Sequence, residues 1–233
     1  MKAQWKWGLF CCLVVSITLF VTKLGCQVVS VMAEHRSITN QHCIVIDPGH
    51  GGEDGGAVSV SNLPESGYNL SIALRLKDLI HLLGYQTKMI RTEDISVYTK
   101  GEKLSEKKAS DLQERVRIVN ETDNAVLLSI HQNHFSDPIY NGAQVFYAQT
   151  TGSEALAEQI QSLLVASINP GSRRKIKKVE KIYLMSRVRC PAVLIECGFL
   201  SNPLEESRLR DPNYQKKLCS VVSVALTQFL SNT

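Results

Sequence analysis

Apolar and polar positions change period repeatedly along this chain, and each change marks an element. Ile44, Val45 and Ile46 form a β-branched run cut off by Pro48 and Gly49, which predicts a buried strand. From Pro64 to Leu83, positions Leu70, Ala73, the stem of Lys77, Ile80 and Leu83 keep three-to-four spacing, which predicts a helix ended by Gly84. Tyr85 to Arg91 alternates as a strand does, while Ile95 to Lys108 is polar and lysine-rich and reads as a loop or exposed edge. Ala109 to Thr122 returns to a helical period through Leu112, Val116 and Val119. Ala125 to Ile130 is an apolar run ending at His131, and Ala143 to Tyr147 is a further strand. Ser153 to Ile168 is expected to be a helix capped by Ser153, with Leu156, Ile160, Leu163 and Leu164 inward and a stop at Asn169-Pro170-Gly171. Ile182 to Met185 is expected as a short strand and Ala192 to Ile195 as a longer one ending at Glu196. Asn213 to Leu230 closes the chain as a helix burying Leu218, Val221, Val222, Ala225 and Phe229. Strands alternating with helices predict the α/β class: a three-layer αβα sandwich around a mainly parallel, twisted sheet of about six strands.

The first residues follow another pattern. Lys2 and Lys6 precede Gly8 to Val21, a stretch without charge, and Lys23 then interrupts. A basic start and a short apolar core predict a signal peptide or an N-terminal membrane anchor over residues 1–32. The run is short for a spanning helix unless Lys23 snorkels. Leu24-Gly25-Cys26 faintly matches a lipoprotein site, but Lys23 stands where such sites want an apolar residue. Residues 33–42 are expected as a linker and 43–233 as a single domain, the size that 233 residues allow. On this reading the protein is exported and touches the membrane only through its first segment. A formal charge of +4 is mild, and with export it argues against a nucleic-acid binder. Of seven cysteines, three fall in the leader; Cys43, Cys190, Cys197 and Cys219 remain, with no CxxC pair to suggest a zinc knuckle or redox motif. Buried small apolar residues are the expected role for these four.

Chemistry enters where the strands stop. Three strands deliver His50, His131 and Glu196 at their carboxyl ends, the edge where open α/β sheets bind ligands. Two histidines with one carboxylate are a known ligand set for a catalytic zinc that keeps one position open. Two carboxylates compete for the third place. Glu53 gives His50-x-x-Glu53, and Glu65 begins the first helix after a glycine-rich loop that can fold back over the strand ends. Spacing does not choose between them.

Four segments together resemble the zinc-dependent N-acetylmuramoyl-L-alanine amidase family of the amidase-3 type: Ile46-Asp47-Pro48-Gly49-His50-Gly51-Gly52, Glu65 with Asn69, Ser129-Ile130-His131, and Leu194 through Asn202. The likeness runs from about Cys43 to Leu230. It implies Zn2+ held by His50, Glu65 and His131, with Glu196 as the catalytic carboxylate. It implies hydrolysis of the amide joining N-acetylmuramic acid to the L-alanine of the peptidoglycan stem peptide, on the cell-wall side of the membrane. A single catalytic domain with an export segment and no wall-binding module is similar to the germination-specific (CwlD-like) amidases of spore formers. That subgroup implies action during spore cortex maturation, in the spore intermembrane space, where bared muramic acid becomes muramic-δ-lactam. A vegetative cell-separation amidase shares the same four motifs. Such enzymes often carry an inserted autoinhibitory helix, and no stretch between His131 and Glu196 is free to form one, so restraint is expected from timing or from an activating protein partner.

Several residues carry blander readings beside these. Asp47 is expected to orient the turn or a ligating imidazole. Asn69 is expected to serve the start of its helix, and His134 to lie on the surface or behind the ligands. His35, His42 and His81 look incidental. Cys197 beside Glu196 invites a thiol hydrolase with His131 as base, a reading the resemblance does not favour. Arg173, Arg174, Lys175, Lys177, Lys178 and Lys181 form a basic cluster, either a solvated loop or an attractor for acidic stem peptides. The rival functions are a zinc carboxypeptidase using Glu53, a wall-binding module without catalysis, and a structural tethered protein.

Overall fold

In the computed structural model, residues 16–27 and 41–232 are described. The chain separates into a unit Met1–Asn40 and a unit Gln41–Thr233. In the first, residues 16–27 are helical and exposed. The rest of the expected leader, residues 1–15 and 28–32, and most of the expected linker lie outside the described residues. Among the described residues no helix is long and apolar enough to cross a membrane.

The second unit carries six strands and six helices in the order β1 (Cys43–Pro48), α1 (Glu65–Leu82), β2 (Gln86–Met89), α2 (Leu104–Asn120), β3 (Ala125–Asn133), β4 (Gln144–Tyr147), α3 (Ser153–Ser167), β5 (Lys177–Lys178), α4 (Tyr183–Arg187), β6 (Ala192–Phe199), α5 (Pro203–Arg210) and α6 (Pro212–Ser231). The strands form one sheet in the order β2-β1-β3-β6-β4-β5. β1 pairs in parallel with β2 and β3, β3 with β6, and β4 with β5; only β4 against β6 is antiparallel. Helix α6 packs against both α1 and α3 over one face, and α2 with α4 covers the other. The predicted sandwich is therefore present. With helices on both faces the central strands are apolar at nearly every position, which is why Ile44–Ile46 and Ala192–Ile195 read as unbroken apolar runs. Alternation still sorts them: Val45, Leu127 and Leu194 share one cluster with Val119 of α2 and Leu184 and Met185 of α4.

Three local expectations are corrected. The α2 helix starts at Leu104, five residues before Ala109, because the Glu106 carboxylate accepts from the backbone N–H groups of Glu102 and Lys103 and holds a first turn with no apolar period. Tyr183–Arg187 is a helix where a strand was expected; Leu184 and Met185 are buried on it, and four residues are too few to show a period. The cap of α3 is Gly152 at φ 84°, whereas the Ser153 hydroxyl accepts from the Ala192 N–H at 2.9 Å and ties the helix to β6. Two elements went unpredicted. Lys177–Lys178 forms β5 with charged residues only, and Pro203–Arg210 forms α5 with the Asn202 side chain accepting from Leu204 and Glu205.

Leu127, fully buried at the sheet centre, carries the packing of both central strands. Leu127→Ala is expected to lower unfolding free energy by about 2–5 kcal/mol in urea titration.

Candidate metal centre

The sheet ends in a turn that has to expose a side chain, and two buried arginines shape it. Arg91 donates to the carbonyls of Pro48, Gly49 and Ser66 at 2.9, 3.0 and 2.9 Å. Arg115 donates to the carbonyls of Pro48 and His50 at 2.9 and 2.7 Å. Each is charge-assisted, and together they satisfy carbonyls that the strand end leaves without ladder partners. Asp47, itself buried, pairs with Arg115 and accepts from the Ser129 hydroxyl at 2.7 Å. Burial would raise the Asp47 carboxyl, but Arg115, the nearby His131 ring and the Ser129 hydroxyl hold it below its ordinary value. Asp47 thus orients the turn through Arg115. So fixed, His50 sits at φ 61°, a left-handed conformation costing a side-chain-bearing residue about 1–2 kcal/mol.

Glu65 opens α1 and is buried, 3% exposed. Its Oε2 lies 3.3 Å from His50 Nε2 and accepts from the Ala57 N–H at 3.1 Å. Its Oε1 lies 3.0 Å from His131 Nδ1 and accepts from the Gln132 N–H at 3.0 Å and the Asn69 side-chain amide at 3.1 Å. Asn69 also donates to the Gly49 carbonyl at 3.1 Å, so it holds both the carboxylate and the turn. The two imidazoles meet edge-on with centroids 5.0 Å apart. This closeness requires glycine at two places. A Cβ at Gly49 would lie 2.2 Å from the His131 ring, and one at Gly56 would lie 2.7 Å from both Glu65 Oε2 and His50 Cδ2.

One ligand atom each from His50, Glu65 and His131 falls within 4.8 Å of the others, a group able to hold a metal ion. Metal bonds of about 2.0–2.2 Å at tetrahedral angles put ligand atoms roughly 3.4 Å apart. The 3.3 and 3.0 Å separations are close to that, and the donor set suits zinc. The remaining His50 nitrogen, Nδ1, faces Asp54 Oδ2 at 2.9 Å, the arrangement that orients a ligating imidazole. Burial opposes charge on His50, but hydrogen bonds to Glu65 and Asp54 win and lift it to about 9. Glu65 is pushed up by burial and pulled further down by the two imidazoles, so it stays ionised well below the usual carboxylate range. Glu53 stands outside the group, half-exposed and paired with Lys107 at 2.6 Å.

Glu196 stands opposite His131 in the parallel register of β3 and β6, so their side chains share one sheet face at its rim. Its Oε2 is buried with no hydrogen-bond partner among the described residues. Burial pushes its carboxyl up to about 7, with Glu65 adding and the imidazoles opposing. An acid near neutrality that lacks a partner is poised to exchange a proton with something not belonging to the protein. Its neighbour Cys197 is buried, makes its sulfur contact to the Ile195 carbonyl at 3.7 Å, and has its thiol raised well above normal by burial. It has no access to act as a nucleophile. His134 is exposed. Sequence reasoning missed Asp54, Arg91 and Arg115; only the Asp54 position, four residues after His50, carried any local signal.

Comparison with known proteins gives a consistent picture. The amidase-3 family, described as N-acetylmuramoyl-L-alanine amidase, matches residues 44–228. The germination-specific N-acetylmuramoyl-L-alanine amidase of Bacillus subtilis (strain 168) is 37% identical over 190 residues, which cover 81% of this chain and 79% of that protein. The amidase LytC of the same organism is 32% identical over 182 residues, covering 77% of this chain but only 34% of LytC. Among solved structures, the CwlD amidase of Clostridioides difficile in complex with the GerS lipoprotein superposes with a TM-score of 0.79 at 34% identity, covering 82% of this chain and 99% of that one.

Two outcomes are expected from this geometry. Arg115→Ala leaves Asp47 buried and uncompensated and should cost about 3–5 kcal/mol in urea titration, whereas Arg117→Ala on the exposed side of the same helix should cost under about 1 kcal/mol. In chelated protein, His50 has a raised folded-state pKa, so its contribution to stability is complete below its unfolded value of about 6.5 and lost as pH rises through about 9. Melting temperature of the metal-free protein should therefore fall between those values, and a flat profile there would contradict the His50–Glu65 pairing.

Proposed function

The chain belongs to the N-acetylmuramoyl-L-alanine amidase family, and from that premise we propose that it is a zinc hydrolase in which His50, Glu65 and His131 hold the metal and Glu196 is the catalytic carboxylate. The substrate is the amide between N-acetylmuramic acid and L-alanine of the peptidoglycan stem peptide. The observation that carries this reading is the buried, unpartnered Glu196 oxygen one strand away from a converging imidazole–carboxylate–imidazole group. A bound zinc supplies a Lewis acid and a water acidified toward a pKa of ~7. Glu196 takes the proton of the attacking water and delivers it to the departing amide nitrogen, for which a carboxyl near neutrality suits both steps. Asp54 fixes the tautomer of His50 through Nδ1, and Glu65 stays ionised as a ligand must. The carboxypeptidase reading needs Glu53, whose carboxylate is engaged by Lys107.

The germination-specific relative supports a role in spore cortex maturation, with cleavage baring muramic acid for muramic-δ-lactam formation. Such a role places the enzyme outside the cytoplasmic membrane, in agreement with the charge pattern of residues 1–32 as a signal peptide or anchor and of 43–233 as the catalytic domain. The similar CwlD structure holds the GerS lipoprotein, which supports an exported protein partner for this chain as well.

Three results are expected. Glu196→Gln should lower turnover by about 10²–10⁴-fold while metal analysis still finds one zinc per chain. His131→Ala should lose both zinc and activity, and chelation of the wild type should be reversed by added Zn2+. Mass spectrometry of peptidoglycan treated with the wild type should show whole stem peptides released from glycan; trimmed terminal residues or new reducing ends would overturn the reading.

A further inference from the structure

From Glu196 the rim of the sheet leads on to β4. Gln144 stands opposite Glu196 in the antiparallel register, so its side chain lies on the face that carries Glu196 and His131. The Gln144 Nε2 donates to the Lys175 carbonyl at 2.8 Å, and its Oε1 accepts from Arg174 Nη1 at 2.9 Å. Arg174 Nε donates to the Asn141 carbonyl at 2.7 Å, and the guanidinium lies 4.6 Å from the centroid of the Phe199 ring. Two hydrogen bonds and an aromatic face fix this group in place. Every one of those partners is neutral, and among the described residues Arg174 forms no ion pair. Glu205, which adjoins this corner, feels the Arg174 charge but makes its hydrogen bonds elsewhere: its Oε2 accepts from the N–H groups of Gly142 and Phe199 at 2.9 and 3.0 Å. The guanidinium lines an open groove of about 720 Å³ together with Tyr140, Asn141, Ser172 and Lys177.

A rigid guanidinium in ion-pair contact with no carboxylate, its charge offset only through space by Glu205, is set in a groove beside a hydrolytic site and is a prepared receptor for an anion. One interstrand spacing and the Gln144 side chain separate it from Glu196, on the order of 10 Å, a length that two to three extended peptide residues cover. On the β1 side the site is bordered instead by Glu53, Asp54 and Asp94, whose charges Lys107, Lys108 and Arg91 already meet. An anionic peptide is therefore drawn to the β4 side. Resting on the amidase reading above, we propose that Arg174 binds a free carboxylate on the residue following L-alanine in the stem peptide, and so sets which stem peptides are cleaved.

The test compares glycan fragments whose stem peptide carries, at that residue, either the free carboxylate or the matching carboxamide. Wild-type enzyme should prefer the carboxylate by about 10–100-fold in kcat/KM, mainly through KM, as one charge-assisted contact supplies. Arg174→Gln should abolish the preference, and Arg174→Lys, which keeps the charge without the fork, should retain part of it. Equal rates on both substrates by the wild type, or an undiminished preference in Arg174→Gln, would overturn the assignment of Arg174 alone. No cleavage of either substrate by zinc-loaded wild type would overturn the amidase reading and this inference with it.

Discussion

Five groups from four parts of the chain converge on the carboxylate of Glu65: the N–H groups of Ala57 and Gln132, the amide of Asn69, and the rings of His50 and His131. A buried charge is costly unless it is paired and hydrogen-bonded, and here both conditions are met at once. The loop before α1, the first turn of α1, the end of β1 and the end of β3 are all positioned by that one requirement. Removing a positive charge from this set leaves an anion in a nearly dry site, so the group is built to hold something cationic. Two imidazoles alone do so only when protonated, whereas a divalent ion does so with both rings neutral.

The rest of the rim follows from how an α/β sheet ends. The strands stop together, and their last carbonyls would lack partners. Arg91 and Arg115 reach those of Pro48, Gly49 and His50 and fix the path of the turn. His50 can then occupy its strained backbone angle, and Gly49 can lie directly under the His131 ring. Glu196 enters from the next strand in register with His131, and its unmet oxygen sits on the same side. Stability below the rim and reactivity above it are thus assigned to different residues of one turn.

Much of this could be read from the chain. Apolar runs ending at Pro48, His131 and Glu196 placed three chemistry-bearing residues at one sheet edge, because a strand buried on both faces leaves an unmistakable apolar signature. Glu65 could not be separated from Glu53 by spacing. Both follow His50 within a glycine-rich stretch, and only the return of the loop onto β3 brings one inward and leaves the other with Lys107. Arg91, Arg115 and Asp54 were hidden because a charged residue in a polar segment looks alike whether solvated or holding a carbonyl. The α4 helix and β5 were too short for periodicity, and β5 is made of lysines. The first turn of α2 was missed because its order comes from a side chain returning to the backbone, not from apolar spacing.

The central claim is that one zinc ion sits where Glu65 gathers two imidazoles. Anomalous diffraction at the zinc absorption edge from crystals of the zinc-loaded protein tests it most directly. A single peak at about 2.0–2.2 Å from a nitrogen of His50, an oxygen of Glu65 and a nitrogen of His131 is the predicted result. A peak bound through Glu53, or none within reach of Glu65, would contradict it.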